Sequence, residues 1–151
     1  MKKTIHLRNI LSILLLFTCS INLAIAQNRL AAITFSDIVI PEAPPVAAVM
    51  VAYMQIKNNT DNEKTISEIS SLQFQRVEIH EMSMANGMMN MKQLKALTIK
   101  AQQSVTLESG GIHVMLIKPL KPLKHNDRVT LTFKFASGES TMINTLVQRI
   151  N

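Results

Sequence analysis

Apolar and polar residues alternate through much of this chain. Arg128 to Phe135 carries Val129, Leu131, Phe133 and Phe135 at every second position, with Thr130, Thr132 and Lys134 between them. Thr141 to Val147 alternates in the same way. Ser104 to Glu108 sets Val105 and Leu107 on one side, and Leu72 to His80 sets Val77 and Ile79 against Glu78 and His80. A period of two marks half-buried strands. Ala48 to Lys57 and Ile112 to Ile117 are more apolar, and turn-forming residues flank them: Pro44-Pro45, the run Asn58 to Asn62, and Gly110-Gly111. No stretch offers a long, capped amphipathic helix. Several short strands separated by turn signals predict one all-β domain, a sandwich or a barrel.

Two stretches are harder to place. Ile33 to Ile40 reads as an edge strand, followed by a turn at Pro41, Pro44 and Pro45, because proline cannot donate to a strand ladder. Met88 to Leu97 is apolar-rich without a helical period. With Met82 and Met84 before it, it reads as an exposed, methionine-bearing loop.

The amino terminus follows another logic. Lys2, Lys3 and Arg8 precede an apolar run from Ile10 to Ala26 that closes on Ala24-Ile25-Ala26, the layout of a cleavable secretory signal. A retained anchor fits less well, since Thr18, Cys19, Ser20 and Asn22 interrupt the run. A lipid attached at Cys19 would want small residues where Leu16, Phe17 and Thr18 stand. We therefore expect a signal peptide over 1–26, a domain over 27–151 and a periplasmic location.

Export changes the charge and the available chemistry. Removing Lys2, Lys3 and Arg8 from 16 basic residues leaves 13 against 10 acidic ones, a net charge of +3 instead of +6. The high isoelectric point is therefore largely a property of the signal, and nucleic acid is not expected as a partner. The only cysteine, Cys19, leaves as well. The mature domain then has neither disulfide nor thiolate and depends on its hydrophobic core.

What remains is histidine and methionine. His80, His113 and His125 persist, and Met82, Met84, Met88, Met89 and Met91 fall within a dozen residues. Methionine is ordinarily a sparse filler of core gaps. Thioether and imidazole together favour Cu(I) over Zn(II), Mg(II) or Ca(II). In an oxidising compartment thiolates are consumed as disulfides, whereas thioethers survive, at the risk of sulfoxide formation. His113 and Met115, two apart on a strand, share a face, with Ile112, Val114 and Leu116 on the other. His80 points away from Val77 and Ile79. Glu78 and Glu81 read as solvated rim charges, and His125 as a turn residue. Lys118, Lys121, Lys124 and Arg128 read as a solvated basic edge. Taken singly, His113 reads as a hydrogen-bonded strand residue and Met115 as core.

The spacing gives these residues a joint meaning. Ten residues separate His80 from Met91, twenty-one separate Met91 from His113, and one separates His113 from Met115. This H-x10-M-x21-H-x-M pattern resembles the motif of the PCuAC-type periplasmic copper(I) chaperones. Val77 to Glu81 is similar to that family's VELHE segment, Ala52 to Asn58 to its AYMxIxN strand, and Gly110 to Leu116 to its GGxHxML segment. The resemblance covers roughly residues 33 to 148. Two departures are Val39, where the family usually has an aromatic residue, and Ser109, where a proline commonly precedes the paired glycines.

The resemblance implies a cupredoxin-like or immunoglobulin-like β-sandwich with His80, Met91, His113 and Met115 as Cu(I) ligands. It also implies delivery of copper to the CuA centre of cytochrome c oxidase, through subunit II itself or another copper assembly factor. No His/Met-rich tail follows Ile150-Asn151, so one ion per chain is expected, on a monomer that meets a membrane only through its partner. The sulfurs of Met82, Met84, Met88 and Met89 form either a collecting surface for the ion or a flexible partner surface.

Other classes fit less well. A blue-copper electron carrier needs a cysteine thiolate. An enzyme would need a Ser/His/Asp set, paired acids or a phosphate loop, and none is evident. A metal-free exported interaction module and a general copper-tolerance or storage protein remain as alternatives.

Overall fold

Period-two segments become strands in the computed structural model, which describes residues 31–85 and 87–150. There are ten: β1 (Ile33–Pro41), β2 (Val49–Asn58), β3 (Lys64–Ser70), β4 (Phe74–Ala85), β5 (Met88–Leu94), β6 (Leu97–Ile99), β7 (Ser104–Leu107), β8 (Ile112–Pro119), β9 (Arg128–Phe135) and β10 (Ser140–Gln148). The expected signal peptide over 1–26, with Cys19, lies outside the described residues.

The strands join in the order β5-β4-β8-β2-β1-β10-β9-β3-β6, with β7 alongside the second half of β2. All pairings are antiparallel except that of β1 with β10. The order folds over on itself at its middle, around β10. Phe35 of β1 and Phe133 of β9 are not on neighbouring strands, yet their ring centroids are 4.6 Å apart. Between the layers lie Ile40, Ile56, Ile66, Leu116, Leu131 and Phe133, all fully buried. The all-β single domain expected from the alternation is the fold observed.

Strand β1 corrects the edge-strand expectation. It lies inside the sheet order, bonded to β2 along Ile33–Ser36 and again at Val39, and to β10 at Ile40 and Pro41. The register shifts between Ser36 and Val39, where Asp37 takes a φ of 52°. Such a bulge bends a strand and lets one strand serve both layers. Pro41 is tolerated because it ends the strand.

Two strands escaped the alternation. In β3 the buried residues are Ile66 and Ile69, three apart, because a register shift between Ile66 and Glu68 interrupts the period. β6 is only three residues long. The expected methionine loop is likewise corrected. Residues 79–85 pair in register with 88–94, so Met82, Met84, Met88, Met89 and Met91 stand on a β4–β5 hairpin.

Asn58 closes the β2–β3 turn from inside. Its side chain is fully buried. Its amide donates to the carbonyls of Asn62, Ile99 and Lys100, and its oxygen accepts from the N–H and hydroxyl of Thr60. A buried amide is stable only when satisfied in this way.

Candidate metal centre

The site strands are β5, β4 and β8, side by side. Ile79, Val114 and Leu116 on their inner face are 6%, 0% and 0% exposed. A slip of one residue would turn these side chains to the other face, so the core holds the register of the outer face as well.

In that register His80 of β4 lies directly opposite His113 of β8, and Glu78 opposite Met115. On the other flank Met82 lies opposite Met91 of β5. Opposed residues of an antiparallel pair share a face. All four expected site residues therefore stand on one face of three adjacent strands. The imidazole centroids are 6.2 Å apart.

The fold brings His80, His113 and Met115 together as neighbours. Met91 stands apart. It is on the other side of the histidine row from Met115, and in a flat sheet their Cα atoms would be about 16 Å apart. It is also 48% exposed, on the edge strand of the order.

The hydrogen bonds of the two rings decide which nitrogens are free. Nε2 of His80 is 2.9 Å from Oε2 of Glu78. A carboxylate only accepts, so Nε2 carries the proton in neutral imidazole and Nδ1 carries the lone pair. That Nδ1 is buried with no hydrogen-bond partner. His113 shows the opposite tautomer. Its Nδ1 is 3.1 Å from the carbonyl of Gly111, which leaves the lone pair on Nε2. His113 itself is 4% exposed. Metal-binding histidines characteristically donate their other ring N–H to a carboxylate or a backbone carbonyl, and these two show one of each.

The carbonyl of Gly111 also accepts from the N–H of Met82, at 3.1 Å. It thus ties the base of the hairpin to His113. Gly110, before it, turns with a φ of +81°.

Two imidazole nitrogens and two thioethers would suit a soft ion. Among the described residues there is no group of three or more His, Cys, Asp or Glu side chains that could hold a metal. His125 is elsewhere, in the β8–β9 connection. Its backbone N–H donates to Glu42, and its Nδ1 accepts from the N–H of Arg149. With the Arg149 guanidinium, that His125 N–H, the stronger cause, holds the Glu42 carboxyl below the ordinary carboxylate range.

Glu78 corrects the reading of it as a rim charge. Its side chain is 19% exposed and lies between Arg76, at 3.3 Å, and His80. Its place two residues from His80 on one strand was the available signal.

Known proteins share this architecture. The copper-bound PCuAC domain from PmoF2 superposes with a TM-score of 0.66 at 18% identity, covering 80% of this chain and 95% of that one. The solution structure of Cu(I)-DR1885 from Deinococcus radiodurans also gives 0.66, at 25% identity and 83% coverage of both chains. In sequence, "Putative lipoprotein Lxx21020" from Leifsonia xyli subsp. xyli is 25% identical over 93 residues. The match takes in 61% of this chain and 56% of that relative, so the chain spans little more than half the relative's length. The profile of the family described as "Putative lipoprotein LpqE-like" matches residues 33–147, nearly the whole described domain, and the chain belongs to this LpqE-like family.

Proposed function

We propose that the protein is an exported Cu(I) carrier. It takes one ion per chain between Nδ1 of His80, Nε2 of His113 and the sulfurs of Met115 and Met91, and passes it to a partner protein. The observation that carries this reading is the bare, buried Nδ1 of His80, beside a second imidazole whose proton is held by Gly111. An unpartnered buried nitrogen costs free energy, and a metal ion would satisfy it. The copper-bound states of the PmoF2 domain and of DR1885, which share this fold, support the choice of ion.

Transfer in this reading is ligand exchange and involves no catalytic step. Met91, half-exposed on the edge strand, swings in to complete the site and is the first ligand that an acceptor displaces. The inner three then release the ion in turn. The acceptor is the CuA centre of cytochrome c oxidase, reached through subunit II or another assembly factor, and the amino-terminal signal brings the protein to the periplasm.

The test is competition for Cu(I) against a coloured chelator, with the parent, His113→Ala and Met115→Ala. The parent should take one ion tightly and both variants should lose most of that affinity. Equal binding by all three would remove the assignment.

A further inference from the structure

Beyond the four site residues, the hairpin carries sulfurs whose register sorts them. Met82 lies opposite Met91, and Met84 opposite Met89. Met82 and Met84 are two and four residues beyond His80 on the same strand, so all four sulfurs project from the face that carries the histidines. Met88 pairs with Ala85 and belongs to the opposite face. Three rungs therefore follow one another along β4: Met84 with Met89 near the tip, Met82 with Met91, and His80, which faces Gln93 of β5 on one side and His113 of β8 on the other. Successive rungs are about 7 Å apart.

The core does not account for these side chains. Met84 is 69% and Met89 68% exposed, and every residue of β5 from Met88 to Gln93 is exposed. On the reverse face at the same level stand Glu81, Ser83, Asn90 and Lys92. On these two rungs the apolar side chains lie on the histidine side, and each of the four positions is methionine; Met88, one rung nearer the tip, is the exposed exception on the reverse face. A surface serving only to bury area would accept leucine, isoleucine or valine equally. A surface that must offer lone pairs to a soft cation requires sulfur. Opposed Cβ atoms lie about 4.5–5.5 Å apart, and methionine's three rotatable bonds let two sulfurs converge.

We propose that Met82, Met84 and Met89 form a second, thioether-only site for a soft monovalent cation, Cu(I) or Ag(I), which feeds the histidine site through Met91. The ion is captured near the tip, moves one rung to the Met82–Met91 pair, and reaches the imidazoles with Met91 still bound. The feeding step rests on the carrier reading; the thioether site itself does not.

Ag(I) is the probe, being soft, monovalent and redox-inert. The ε-methyl NMR signals of the methionines are followed during titration of the parent, of His80→Ala/His113→Ala, and of Met84→Leu/Met89→Leu. Leucine preserves volume, and the exposed positions spare the fold, which thermal unfolding would verify. The double-histidine variant should still take Ag(I) weakly, with the Met82, Met84 and Met89 methyls shifting together. The double-leucine variant should keep one tight equivalent but load it on the order of tenfold more slowly. Unmoved Met84 and Met89 methyls in both the parent and the double-histidine variant would overturn the site. So would metal loading unchanged by leucine together with hairpin-dependent self-association, which would mark an apolar docking surface. Failure of the carrier reading looks different, as the absence of any tight equivalent in the double-leucine variant.

Discussion

Glu78 and His80, two residues apart on one strand, are joined by a 2.9 Å hydrogen bond that makes Nδ1 the lone-pair nitrogen of the ring. The carboxylate also makes that ring a stronger ligand. Glu78→Ala should weaken Cu(I) binding about 10–100-fold, as read by chelator competition. Glu78→Gln, which retains an acceptor oxygen, should weaken it less. Thermal unfolding should change little in either variant, which separates the orienting role from a structural one.

The turn before His113 can be tested through its backbone. Gly110 holds a φ of +81° with open space around its missing Cβ. Gly110→Ala should therefore cost about 1–2 kcal/mol from backbone conformation alone. The next carbonyl, that of Gly111, positions both His113 and Met82, so a distorted turn should also lower metal affinity. Urea unfolding and metal competition on the same variant read the two effects separately.

Asn58 serves stability alone. Asn58→Ala leaves the carbonyls of Ile99 and Lys100 and the N–H of Thr60 without their side-chain partner. Stranded buried groups cost about 1–3 kcal/mol each, and the total should be about 3 kcal/mol in urea unfolding. Asn58→Leu should not recover it, because the loss is in hydrogen bonding and not in volume.

Acid should loosen the contact between the end of β1 and the carboxy-terminal segment. The Glu42 carboxyl is held below its ordinary value of 4.5 by the His125 N–H and then by Arg149. A group with a lowered folded value stabilises fully above its unfolded value, and that stability drains away as pH falls through the folded one. Thermal melts from pH 6 to 3 should therefore show a flatter acid limb in Glu42→Gln than in the parent.

Much of this architecture is legible in the chain. Val129 to Phe135 announces β9, and Arg128–Phe135 is the strand observed. The face that carries His80, His113 and Met115 follows from i, i+2 spacing. Legibility stops where backbone irregularity or cross-strand register decides. The bulge at Asp37 turns β1 from an edge into an interior strand, and the shift in β3 spaces its isoleucines by three. The role of the Met84–Met89 pair depends on what faces each residue, which is fixed only once strands align, whereas Glu78 stood in view two residues from His80 on one strand. The hairpin itself lacked a buried stripe to reveal it, because its methionines face solvent.

His80 and His113 are separated in sequence by the whole of β5, β6 and β7 and meet only because β4 and β8 align. Any ion held between them is a crosslink that the unfolded polypeptide cannot make. Occupancy is therefore coupled to resistance against unfolding: at a free ion level about 100 times the dissociation constant, a bound ion adds about 2.7 kcal/mol. A chain that has given up its ion becomes the more fragile of the two forms, and protease susceptibility would distinguish spent molecules from charged ones.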